Sequence, residues 1–335
     1  MKLSSLRPFT LSLSRLSAAF ALGCLPCLAQ AQDPFAPKPE IPAGFMLVGG
    51  DILVPIAKTP AESAFPNDPN RYWPGGIVFY EFDVNVTVAN RTIMVNAMAQ
   101  WENVANVDFV VRAGQADYVH IQNSTGNNSQ IGRVGGQQLI NIVSWGTPFI
   151  LVHELGHCLG FGHTHTRPDR NTFVQININN IQIGRDGNFD IDPGFNGYGP
   201  YDFDSIMQYD QCSFSIDCPE GSTCACTRHT IDVLPPNDTF WQSRIGQRDH
   251  LSTFDQLVMS FLYRENDWVF VNLAYTGSPQ AGTFLRPYVS LTQGRTGVPT
   301  GGTVWLQPGN YYAVGTIITK AMTLRAPLGG VTLGN

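Results

Sequence analysis

The chain is expected to fold as an α+β protein, and three observations lead there. Strand-like runs such as Ile77–Phe82 flank a helical stripe of Ile93, Met94, Ala97, Met98 and Trp101. A second helical pattern starts near Pro148 and runs into a cluster of histidines. Beyond Arg264 helical patterning stops, and apolar strands alternate with Gly-Pro turns up to Asn335, which reads as a small all-β segment.

Composition sets the outer limits. Of 335 residues, 43% are hydrophobic and 14% charged, enough apolar content for a sizeable core and too little charge for a disordered chain. The balance of 20 basic against 26 acidic residues leaves a net charge of −6. That argues against a nucleic-acid binder working through a basic surface.

From the start of the chain, Met1–Arg15 carries Lys2, Arg7 and Arg15 and no acid, and Leu16–Ala29 is apolar but too short to span a bilayer. Ala29-Gln30-Ala31 is a small-x-small cleavage site. Residues 1–31 therefore read as a signal peptide, and the protein as secreted, extracellular or periplasmic. The competing reading is a lipoprotein anchored at Cys24, after Ala21-Leu22-Gly23. No later run is long and apolar enough for a membrane helix, so stable membrane association is not expected. Residues 32–66 are rich in Pro, Ala and Asp, with one apolar stretch, Phe45–Val54, around Gly49-Gly50-Asp51. This reads as an extended linker, not a folded unit. A helix is expected over Asn90–Val104, strands over Val107–Val111, Tyr118–Gln122 and Leu139–Val143, and a helix over Ser252–Tyr263. Asn171–Pro200, full of Asn, Asp and Gly, should be mostly loop. A domain boundary near 265 follows from the change of period.

His153-Glu154-Leu155-Gly156-His157-Cys158-Leu159-Gly160-Phe161-Gly162-His163 carries the chemistry. His153 and His157, four residues apart, share one helix face, as two ligands of one zinc require. Gly160 permits positive φ, so the helix can stop there and return His163 as the third ligand. Three neutral nitrogens leave a fourth position open, which marks a catalytic site for one Zn2+ ion. Glu154, beside the first ligand, is placed as general base for a water acidified by the metal.

This pattern is the metzincin signature. The residues after it, Thr164-His165-Thr166-Arg167-Pro168-Asp169-Arg170-Asn171, resemble the extended signature of the astacins, secreted zinc endopeptidases. Ser205-Ile206-Met207-Gln208-Tyr209 resembles their Met-turn. Arg133-Val134-Gly135-Gly136-Gln137, Ile245-Gly246-Gln247-Arg248 and Leu251-Ser252 agree with the same family. The resemblance implies a two-subdomain catalytic domain over 67–265; the change of period leaves 266–335 as a β-rich C-terminal segment. The resemblance further implies that His153, His157 and His163 bind zinc, that Met207 forms an apolar floor, and that Tyr209 is a fifth zinc ligand at rest that swings to hydrogen-bond the oxyanion. Gly49-Gly50-Asp51 resembles the family's propeptide motif. There an aspartate blocks the metal, which would make residues 32–66 a propeptide, Asp51 a latency switch and the full chain a zymogen activated by proteolysis within Ala61–Asn70.

Departures from the family are specific. Val48 stands where an aromatic is usual, Thr164 replaces the glutamate after the third histidine, and Asn171 replaces an aspartate. The cysteines of the family's two usual disulfides are missing; Cys212, Cys218, Cys224 and Cys226 cluster after the Met-turn instead. In an oxidising compartment these read as two disulfides in preference to a zinc cluster, with Cys224 and Cys226 each joined to one of Cys212 and Cys218. Cys158 is left as a buried free thiol. Residues 301–324 look like an opening rung of a right-handed parallel β-helix, ending after about one rung. The expected function is a secreted zinc endopeptidase acting on protein or peptide substrates, with no nucleic-acid partner. The alternative is a catalytically silent zinc-binding scaffold, or a surface- or carbohydrate-binding protein using the C-terminal β segment.

Overall fold

Alternating apolar residues in the first half of the chain pair into one sheet. Its strands are β1 (Phe45–Val48), β2 (Ile52–Pro55), β3 (Ile77–Phe82), β4 (Asp108–Val111), β5 (Tyr118–Asn123), β6 (Asn128–Gln130) and β7 (Gln137–Ile142), ordered β1-β2-β6-β7-β5-β3-β4. The computed structural model describes residues 41, 45–55, 71–192, 200–219, 224–263, 268–282, 286–312, 317–326 and 330–334. The expected signal peptide with Cys24 and Cys27, most of 32–66, the cleavage stretch Ala61–Asn70 and the boundary at 265 lie outside the described residues.

β7, β5, β3 and β4 run parallel. Helix α1 (Val88–Glu102) makes the crossover from β3 to β4 that a parallel pair needs. Thr87 caps it, its hydroxyl accepting from Asn90 N at 3.2 Å. Its stripe Met94, Ala97, Met98 and Trp101 is buried, as the periodicity anticipates, and Ile93 partly so. Helix α2 (Pro148–Leu159) begins on a proline, whose missing N–H would be unpaired there in any case. Every residue from Leu151 to Leu159 is buried. Trp101 ties the helices together, its Nε1 donating to Val152 O at 3.0 Å.

One expectation needs correction. Phe45–Val54 is not a free linker: β1 and β2 form an antiparallel hairpin, and β2 adds parallel to β6 through Ile52↔Ser129 and Leu53↔Gln130. Its side chains Ile52 and Val54 pack on Ile131. The short polar strand β6 has no apolar alternation to betray it, so the partner edge was invisible in sequence.

Over 171–192 the chain is loop-rich, as expected, with 193–199 outside the described residues. β8 (Val174–Ile176) and β9 (Ile231–Val233) pair antiparallel over a core of Phe189, Tyr201, Phe203 and Ile245. The single-turn α3 (Asp238–Trp241) follows. Helix α4 (Thr253–Leu262) opens with a capping box between Ser252 and Asp255.

In the C-terminal segment, β10 (Trp268–Val271) is followed by helix α5 (Leu291–Gly297), β11 (Thr303–Leu306), β12 (Gly309–Tyr311), β13 (Thr323–Arg325) and β14 (Val331–Leu333). β10-β11-β13 and β12-β14 are parallel stacks. α5 breaks the all-β expectation. With two glycines in seven residues, it lacks an apolar stripe to announce it. Trp268, Phe270 and Trp305 pack with Leu257 of α4. No helix among the described residues is long and apolar enough to cross a membrane.

Candidate metal centre

α2 carries His153 and His157 on one face, and Gly160, at φ +116°, ends it. Phe161 N donates back to Gly156 O at 2.8 Å, which turns the chain so that His163 faces the other two rings. His153 Nδ1 lies 2.8 Å from Ile206 O and His157 Nδ1 2.7 Å from Phe161 O. A carbonyl can only accept, so both Nδ1 atoms carry a proton, and in the neutral ring each Nε2 is then a bare lone pair. Those two Nε2 atoms face each other at 3.1 Å. Two acceptors so close repel unless a cation lies between them. Zinc–nitrogen bonds of about 2.0–2.1 Å in tetrahedral array put nitrogens roughly 3.3 Å apart. His163 Nε2, buried and facing the Asp51 carboxylate at 3.1 Å, completes the set. Burial and the nearby Arg248 push His153 down to about 3, so it is neutral and ready to ligate.

Asp51 is the fourth member of this group. Its carboxylate lies 3.2 Å from His153 Nε2, 3.5 Å from His157 Nε2 and 3.1 Å from His163 Nε2. Burial opposes its charge, but His163 and the three imidazole contacts hold its carboxyl well below the usual range. The two residues before it must be glycine. Gly49 and Gly50 have φ of +60° and +82°. A Cβ on Gly49 would sit 2.9 Å from His163 Nδ1, and one on Gly50 would sit 2.7 Å from the Tyr209 hydroxyl and 2.8 Å from Phe214 Cζ. The Tyr209 hydroxyl donates to Gly49 O.

Glu154 is 1% exposed, and its Oε2 has no hydrogen-bond partner among the described residues. Burial and then the Asp51 charge push its carboxyl well above the usual range. Tyr209 is pushed well above the usual phenol range by burial and by Asp51, so it stays a neutral donor. It stacks on His165 at 4.1 Å between centroids. Met207 lies under α2, and Gly156 makes room for it: a Cβ there would meet Met207 Sδ at 2.9 Å. Thr164 is buried, its N donating to Met207 O at 3.2 Å.

The loop after Tyr209 is crosslinked by Cys212–Cys226 and Cys218–Cys224. Cys158 is the free cysteine among the described residues, and burial pushes its thiol up to about 12. Two site residues escaped sequence reasoning. Arg248, in a stretch noted only for its resemblance, interacts electrostatically with Asp51, Asp210 and Glu154, and its Nη1 donates to Gln208 O at 3.1 Å. Phe214 has φ +55°, the positive-φ non-glycine residue among those described. That conformation costs roughly 1–2 kcal/mol. It is held by Gln182 N donating to Phe214 O at 2.9 Å and by the Cys212–Cys226 bridge beside it. Its ring lies 5.8 Å from Tyr209. Only its place between two cysteines marks it in sequence.

Three imidazoles converging with a carboxylate, on an α+β scaffold, make a candidate zinc centre of the metzincin type. The family model for the astacins, a peptidase family, matches residues 65–264, and the chain belongs to the astacin family. It is 39% identical over 202 residues to human Tolloid-like protein 1, covering 58% of this chain and 19% of that protein. To Bone morphogenetic protein 1 of Xenopus laevis it is 42% identical over 206 residues, covering 58% and 27%. To mouse Astacin-like metalloendopeptidase it is 33% identical over 235 residues, covering 67% and 49%. The match thus spans between a fifth and a half of these curated relatives. Among solved structures, High choriolytic enzyme 1, a hatching enzyme zinc-protease from Oryzias latipes (Medaka fish), aligns at TM-score 0.53 and 30% identity over 58% of this chain and 96% of that one.

Proposed function

We propose that the chain is exported as a latent zinc endopeptidase and hydrolyses peptide bonds in protein or peptide substrates once Asp51 leaves the metal centre. The observation that carries this is the pair of bare Nε2 atoms at 3.1 Å with Asp51 closing the group. The residues fit a zinc ion held by His153, His157 and His163. When bound, zinc supplies the Lewis acidity that makes water a nucleophile near neutral pH. Glu154 Oε2, free of other partners, takes the proton from the attacking water and returns it to the leaving amine. The Tyr209 hydroxyl, released from Gly49 O, donates to the oxyanion, and Met207 supports the centre from below. An extended peptide binds along β6, the strand that β2 covers in the latent chain, by backbone pairing.

In this reading residues 1–31 are a signal peptide, 32–66 a propeptide, 67–265 the catalytic domain and 266–335 a β appendage. Thr164 has no carboxylate to receive a new N-terminal ammonium, so activation need only remove the β1–β2 hairpin. The test is digestion of a peptide library by the proteolytically matured protein, with and without chelator, beside Glu154→Ala. Cleavage that chelator and Glu154→Ala both abolish is expected. A folded, zinc-loaded sample that cuts nothing refutes the protease reading and favours a silent scaffold.

A further inference from the structure

One buried carboxylate in the catalytic half has no part in the scheme above. Asp255, at the third position of α4, is 4% exposed. Its Oδ2 accepts from Ile206 N at 2.8 Å and Ser252 N at 3.0 Å, and its Oδ1 accepts from the Ser205 hydroxyl at 2.6 Å. Ser205 Oγ in turn accepts from Met207 N at 3.0 Å. The other end of that same peptide unit, Ile206 O, is the acceptor for His153 Nδ1 at 2.8 Å. The geometry points to Asp255 as a positioning residue for the metal centre, acting on His153 through Ser205 and the Ile206–Met207 peptide. This rests on the reading of His153 as a zinc ligand.

The direction of every bond in the chain is forced. Ile206 O cannot donate, so His153 Nδ1 holds the proton and Nε2 is left for the metal. Met207 N–H cannot accept, so Ser205 Oγ accepts it and sends its own proton to Asp255. Asp255 receives only donors, which suits an ionised carboxylate. Each link polarises the next: the anion strengthens Ser205 as acceptor, that draws on the Met207 N–H, and Ile206 O becomes a better acceptor for the imidazole. The outcome is a fixed tautomer, a fixed ring plane and a more basic Nε2, the ordinary effect of outer partners on a ligating histidine. The three imidazoles differ here. His157 has a bare carbonyl, Phe161 O, and His163 Nδ1 has no partner among the described residues. Only the His153 support ends on a carboxylate.

Asp255 also caps α4, sharing Oδ2 between the cap and Ile206 N and leaving Oδ1 to Ser205 alone. Substitutions can therefore separate the two tasks. The full chain is stripped of metal, and Zn2+ affinity is measured by competition with a chromophoric chelator; Co2+ loading reports the ligand field in its visible spectrum. Ser205→Ala and Asp255→Asn should weaken zinc about 10–100-fold and shift the cobalt bands, and Ser205→Thr, which keeps the hydroxyl, should restore both. Ser252→Ala removes the cap hydroxyl, should lower the melting temperature of the metal-free chain, and should leave affinity and spectrum unchanged. Unchanged zinc affinity in folded Ser205→Ala, or equal weakening in Ser252→Ala, overturns the assignment. His153→Ala is the reference: if it binds zinc as tightly as wild type, the metal reading itself has failed, not the relay alone.

Discussion

Replacing Gly50 by alanine asks whether residues 49–51 keep the cleft shut. In the seated segment Gly50 has φ +82°, a conformation that costs an L-residue roughly 1–2 kcal/mol. The added Cβ would also press on the Tyr209 hydroxyl at 2.7 Å and on Phe214 Cζ at 2.8 Å, both part of the wall over the hairpin. Once the segment lifts away, alanine relaxes to negative φ and both penalties vanish. The backbone term alone should shift the seated-to-lifted ratio by about 5–30-fold, at 1.4 kcal/mol per factor of ten. The assay is hydrolysis of an internally quenched peptide by uncleaved chain, with chelator as blank. Gly50→Ala should raise this basal rate about 5–30-fold, and Asp51→Ala should raise it as well. Gly75→Ala is the control: Gly75 also has positive φ, +63°, but no atom lies within 4 Å of a Cβ there, so only general stability should suffer. Uncleaved Gly50→Ala and Asp51→Ala chains as silent as wild type would refute the latency reasoning.

Other consequences are equally direct. Tyr209→Phe should bind zinc normally but lose about 10²–10³ in turnover, the usual effect of deleting one oxyanion donor; an undiminished kcat removes Tyr209 from the mechanism. Gly156→Ala should destabilise the chain by about 1–3 kcal/mol, because the new methyl overpacks the Met207–Trp101 contact, and a thermal melt reads this directly. Cys158, buried with its thiol held near 12, should resist iodoacetamide in the native chain and react on unfolding, and intact mass of the mature protein, without Cys24 and Cys27, should show two disulfides and one thiol. Burial and the Asp255 charge push Asp202 up to about 7. The folded chain then holds this proton more tightly than the unfolded one, so the group's contribution to stability falls as pH rises from about 4 through 7. Asp202→Asn should flatten that decline in melting temperature, and parallel pH profiles for the two proteins would contradict it.

Much of this molecule is written in short-range order. The stripe on α1, the i, i+4 histidines of α2 and the stop at Gly160 depend only on helical geometry and on one glycine, so they can be read from neighbouring residues. The α+β class follows from the same periodicities. What sequence left open depends on partners far along the chain. β6 is three polar residues whose identity as a strand comes from β7 on one side and β2 on the other. The Cys212–Cys226 and Cys218–Cys224 pairing was chosen between two arrangements by the path of the loop. Asp51 meets His153 across 102 residues, and Asp255 meets Ser205 across 50. The sequence by itself pointed to the residues that can hold a metal, because the spacing of His153 and His157 within one helix and the glycine stop before His163 are local properties. The family resemblance pointed to Asp51, but only tertiary packing seats it against the three imidazoles, and tertiary packing alone decided what braces the first histidine, because a hydrogen bond between distant segments exists only once both are buried against the same core.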